Sequence, residues 1–149
     1  MNYSALVKYY EELESTTKKL EKTEILARLF KNSDANELPF IVYLVQGKVF
    51  PEWDERKIGF SSRLILKAIS AVTGVVAENV EKLWKNKGDL GLVVEELIKS
   101  KRQTTLFHNK LELEKVFNNI RKLAELEGTG TVNKKIQLVS ELLGNATPE

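Results

Sequence analysis

Cysteine is absent from the 149 residues, and histidine occurs once. The first absence excludes a disulfide framework, a thiolate metal site and a cysteine nucleophile, and it fits a reducing interior. The second leaves His108, in Thr104-Thr105-Leu106-Phe107-His108-Asn109, without another histidine at metal spacing or a nearby acid to orient it. It reads as a solvated loop residue. With 3 prolines and 8 glycines the chain has too few breakers for a disordered or fibrous protein. The longest wholly apolar run is residues 40–45, six residues, far short of the ~20 that a membrane helix needs. The first 14 residues hold Lys8, Glu11, Glu12 and Glu14 and no hydrophobic signal core. A soluble, intracellular chain with no membrane partner is expected.

What is present is regular spacing. At 42% hydrophobic and 30% charged, a chain of this length can bury one core, so one domain is expected. Apolar residues recur at helical intervals. Tyr3, Leu6, Val7, Tyr10 and Leu13 form one stripe, and Leu20, Ile25, Leu26, Leu29 and Phe30 a second. Leu64, Ile65, Ala68, Ile69 and Val72 form a third, closed by Gly74, where a left-handed terminal residue is wanted. Val80, Leu83 and Trp84 mark a short helix, and Leu90, Val93, Val94, Leu97 and Ile98 another. Leu113 to Ala124 carries a longer helix expected to stop at Gly128, and Ile136, Val139, Leu142 and Leu143 a last one expected to stop at Gly144. The 40–45 run is β-branched and aromatic, yet Asp34 followed by Glu37 resembles a capping box. A lone strand would have no partner, so this segment too is expected to be helical, in an all-α fold of a single compact multi-helix domain.

Catalytic patterns are missing. There is no P-loop and no GxGxxG. The acid pairs Glu11/Glu12 and Glu95/Glu96 are neighbours on helices, point different ways and read as solvated faces. The informative residues stand at helix starts. Thr16-Thr17-Lys18-Lys19 opens the second helix with Lys22 a turn on; Gly59-Phe60-Ser61-Ser62-Arg63 opens the helix carrying Lys67; Gly128-Thr129-Gly130-Thr131-Val132-Asn133-Lys134-Lys135 opens the last. Each joins hydroxyls able to cap with cations in the first turn. Ordinary helix design puts acids there. A helix beginning offers free N–H groups and partial positive charge, glycine admits close approach, and a phosphate would supply the missing negative charge. Net charge is only +2, so such binding must come from placement: residues 16–31 hold five basic and two acidic side chains.

These same residues carry a family resemblance. The chain resembles the N-terminal DNA-binding domain of ATP-dependent DNA ligases of the archaeal and eukaryotic kind, nearest the archaeal ones. The likeness begins at Tyr3-Ser4 and Leu13-Glu14-Ser15-Thr16-Thr17 and is strongest in Gly47-Lys48-Val49-Phe50-Pro51-Glu52-Trp53-Asp54-Glu55-Arg56. It continues through Ile58-Gly59, Leu64-Ile65-Leu66-Lys67-Ala68, Thr73-Gly74, Lys87-Gly88-Asp89-Leu90-Gly91 and Gly128-Thr129-Gly130-Thr131. It implies an all-helical domain lying across the minor groove of nicked double-stranded DNA, with loops and helix starts on the phosphates. DNA contacts then fall on Thr17, Lys18, Lys22, Gly59, Ser61, Ser62, Arg63, Thr129, Gly130, Thr131, Lys134 and Lys135. Ser61 stands where the family usually has glycine. No Lys-x-Asp-Gly occurs, so the lysine that would carry AMP is missing. The resemblance implies a fragment that grips DNA but does not ligate, without cofactor of its own. ATP and Mg would belong to the full-length, cytoplasmic, nucleoid-associated enzyme.

Two further expectations accompany this. Trp53 and Trp84 should pack against the domain rather than stack on bases, and Asp89 should cap the helix that follows it. Gln103-Thr104-Thr105-Leu106-Phe107 is similar to the sliding-clamp peptide of some archaeal ligases. In it Leu106 and Phe107 would either tuck onto this domain's own core or fill an apolar pocket beside Gln103; the second makes a PCNA-type clamp a further expected partner and a helical scaffold binding the clamp through residues 103–107 the alternative function.

Overall fold

A computed structural model describes residues 1–100 and 110–147. Among the described residues there are eight helices and no strand, the all-α class that the periodicity implies. Packing divides the chain into two units, Met1–Arg56 with Lys110–Asn118, and Lys57–Asn109 with Asn119–Glu149. No change of composition marks the division at Arg56.

The first unit contains α1 (Tyr3–Glu14), α2 (Lys19–Lys31), α3 (Leu38–Val45) and the beginning of α7 (Leu113–Glu125). Leu6, Leu29, Ile41 and Leu113, one from each helix, are fully buried together. The Phe117 ring meets Phe40 at 4.9 Å, tilted by 55°. Such a cluster removes each side chain from water at roughly 1.5–3 kcal/mol apiece. The chain start is tied in by Tyr3 N–H donating to Leu111 O (2.8 Å) and Leu113 N–H to Met1 O (3.2 Å). Burial pushes the Tyr3 and Tyr10 phenols above their ordinary range.

The 40–45 run is helical as expected, but the capping box is not formed. Glu37 is itself the N-cap and makes no side-chain cap bond. Its carboxylate pairs with the Met1 ammonium instead, while the Glu37 and Leu38 N–H groups donate to the Asp34 backbone oxygen.

The second unit contains α4 (Ser62–Thr73), α5 (Ala77–Lys87), α6 (Leu90–Ser100), the end of α7 and α8 (Val132–Asn145). Leu66, Ile69, Val80 and Val93 are buried together, with Leu83, Trp84, Leu97 and Leu143 against them. Gly74 ends α4 at φ +74°, the left-handed geometry expected of it. Asp89 caps α6, accepting from Leu92 N–H at 2.9 Å. Gly91 follows from that cap, because a Cβ there would lie 2.9 Å from Asp89 Oδ1.

Two helix ends differ from expectation. α7 stops at Glu125, before Gly128, and α8 runs through Gly144 to Asn145. Nothing crowds Gly144, and one glycine near a helix end costs at most about 1 kcal/mol, which packing by Leu143 offsets. Among the described residues, no helix is long and apolar enough to cross a membrane.

Candidate nucleic-acid interface

The three basic helix starts differ once their neighbours are in place. At α4, Phe60 N–H donates to Ile58 O (3.0 Å), closing a three-residue turn centred on Gly59. Ser61 is the N-cap, extended at φ −77° and ψ 157°, and makes no side-chain cap bond. Its carbonyl accepts from Leu64 and Ile65 N–H at 2.9 and 3.1 Å. No acid lies in the first turn, and Ser61, Ser62 and Arg63 are exposed.

At α8 the approach bends through Gly128 and Gly130, both at φ +91°, a conformation that L side chains avoid. Thr131 is the N-cap, yet its hydroxyl donates back to Gly128 O at 2.9 Å and caps nothing. This first turn also has no acid. Thr129 and Lys134 are exposed, whereas Lys135 is half-buried. Its Nζ donates to Gly59 O at 2.9 Å, across 76 residues of sequence. The second unit therefore brings two of the expected segments together, and neither has a carboxylate of its own in the first turn.

The α2 start is different. Lys18 is the N-cap, with its N–H on Thr16 Oγ1 at 3.2 Å and its Nζ on Glu21 Oε1 at 2.7 Å. Thr16 Oγ1 also donates to Glu21 Oε2. The Lys18 hydrogen bond, then that of Thr16, holds the Glu21 carboxyl below the usual carboxylate range. The expectation of an uncompensated basic start is overturned here, because Glu21 already supplies the negative charge that the helix dipole favours. Thr17 and Lys22 are exposed beside this pair.

Hydroxyl capping is also corrected at all three starts, since none has a side-chain cap bond. The Ser61 side chain makes none, and the threonine hydroxyls are used on Glu21 and Gly128.

One residue was missed by pattern alone. Glu21 sits three residues after Lys18 and could have been found by pairing charges along the helix. Lys135 could not be separated from Lys134 without coordinates.

The tryptophans divide. Trp84 packs on the second unit's core, but Trp53 is 83% exposed, against the expected packing. It lies in the turn closed by Asp54 N–H on Pro51 O (3.1 Å), while the neighbouring Arg56 is engaged by Asp54 and lies 4.3 Å from the Phe50 ring centre. Gln103, Leu106 and Phe107, with His108, lie outside the described residues. Among those described, no cluster of His, Cys, Asp or Glu could hold a metal ion.

These features define a class: an all-α module in which two acid-free helix beginnings are joined by a side-chain contact. Comparison with known proteins gives the family. The DNA ligase N terminus family matches residues 2–149. The chain is 42% identical over 146 residues to a DNA ligase of Methanothermobacter thermautotrophicus, covering 98% of this chain and 26% of that protein. It is 38% identical over 149 residues to a DNA ligase of Thermococcus fumicolans, covering 100% and 27%. To a DNA ligase of Archaeoglobus fulgidus it is 39% identical over 149 residues, covering 99% and 27%. The chain belongs to the DNA ligase N-terminus family, in an archaeal-type branch, and spans about a quarter of the length of these relatives.

Proposed function

We propose that this chain grips double-stranded, nicked DNA by its phosphate backbone, as the binding module of an ATP-dependent DNA ligase in replication and repair. The observation that carries the reading is the junction of the α4 and α8 starts. Two acid-free first turns, with exposed Arg63 and Lys134, are held together by Lys135 on Gly59 O. Backbone amides and helix dipoles attract an anion there, and the cations strengthen the attraction without reading bases. Thr129, Gly130, Ser61 and Ser62 complete the polar lining.

The α2 start contributes through Lys22 and Thr17, with Lys18 partly neutralised by Glu21. Sealing chemistry, with ATP and magnesium, is assigned to the parent ligase, since this sequence holds no Lys-x-Asp-Gly. The Gln103–Phe107 pattern gives a separate proposal, docking on a PCNA-type clamp, that rests on the sequence.

The direct test is fluorescence anisotropy with labelled duplexes of unrelated sequence, nicked and intact, from 50 to 200 mM salt. Binding should be insensitive to sequence and fall steeply with salt. Affinity that ignores salt would refute the backbone reading.

A further inference from the structure

The family resemblance implies one role for Lys134 and Lys135, two cations on DNA. Their surroundings differ. Lys134 is exposed at the head of α8; Lys135 is half-buried and its ammonium is already on a carbonyl, 2.9 Å from Gly59 O. That carbonyl belongs to the residue at the centre of the turn that feeds α4, where Phe60 N–H closes onto Ile58 O.

An unsupported loop of this kind is free to shift by an ångström or more, and a phosphate site made of amides needs its donors fixed before the ligand arrives. The ammonium offers three donors to the exposed peptide oxygen of this turn. A Cβ on Gly59 would sit 3.5 Å from Lys135 Nζ, ordinary van der Waals contact. Proximity here therefore does not depend on glycine being glycine. The contact depends on a cationic donor at 135.

We infer that Lys135 is a positioning residue: it acts as a strut between the α8 start and the Gly59 turn, setting the spacing of two phosphate sites, while Lys134 meets phosphate directly. This inference rests on the DNA-gripping reading for its consequence but not for its geometry. The strut is a contact within the protein and can be tested without DNA.

The experiment compares Lys135→Met, Lys135→Arg and Lys134→Met in the 149-residue chain, by two readouts. The first is the Gly59 carbonyl carbon resonance without DNA. It should move in Lys135→Met, stay in place in Lys134→Met, and return toward its original position in Lys135→Arg, whose guanidinium also donates. The second is binding of a nicked duplex against salt. Lys135→Met should weaken binding by roughly three- to tenfold at every salt concentration, the range for losing one ordinary, solvent-exposed hydrogen bond. Its log–log slope should change by much less than the ~0.9 expected for a lost phosphate contact, which Lys134→Met should show in full. Lys135→Arg should restore affinity.

An unmoved Gly59 resonance in Lys135→Met overturns the strut. So does a slope loss equal to that of Lys134→Met, which would return Lys135 to direct contact. If no variant and no parent chain binds DNA, the resonance still decides whether the strut exists, and the failure belongs to the binding proposal.

Discussion

Replacing both Arg63 and Lys134 with glutamine isolates the two cations of the α4 and α8 starts. Both are exposed, no acid shares their first turns, and neither substitution removes apolar burial. Each lost phosphate contact should lower the salt slope by about 0.9, so the pair should lower it by about 1.8. A fourfold rise from 50 to 200 mM spans about 0.6 decades of salt. The deficit of the double variant relative to the parent should therefore shrink by about twelvefold over that range. Anisotropy titrations of one labelled nicked duplex at four salt concentrations would measure both lines, with circular dichroism melting to verify unchanged folding. Parallel lines, with an affinity loss constant in salt, would show that neither cation meets a phosphate and would refute the interface drawn from these helix starts.

Glu21→Gln should free Lys18 and, unlike most charge deletions, strengthen duplex binding and steepen its salt dependence by up to ~0.9; weaker or unchanged binding in the same titration would separate the α2 start from DNA. Among the described residues Ser140 Oγ has no hydrogen-bond partner although it is buried, so Ser140→Ala should be neutral or stabilise by about 1 kcal/mol in denaturant melts. The raised phenol pKa of Tyr10 means that its neutral form is favoured by folding. That contribution is complete below the unfolded value of about 10 and is lost as pH rises above it. Melting temperature should thus fall on the alkaline side, and Tyr10→Phe should flatten the fall. Phe107→Ala should abolish retention on an immobilised PCNA-type clamp while leaving duplex binding intact.

Much of the architecture was legible in the spacing of Leu, Ile and Val, because a helix that buries one face must repeat it. Gly74 and Asp89 announced a terminus and a cap, since a left-handed φ and a short acceptor are local demands that one residue can meet. The interface was legible only as three equivalent segments. Their inequality arises from partners: Glu21 lies three residues from Lys18, where spacing alone does not tell an ion pair from a solvated charge, and Gly59 is 76 residues from Lys135. The division at Arg56 left no trace because a boundary between two packed helical units needs no change in composition.

The Asp89 and Gly91 pair implies an epistasis. A methyl group at 91 would intrude within 2.9 Å of an oxygen already engaged on Leu92 N–H, so alanine at 91 would forfeit a cap worth about 0.5–2 kcal/mol. Either substitution, at 89 or at 91, would remove the same cap, so their costs should not add. A single contact thereby couples the two sites.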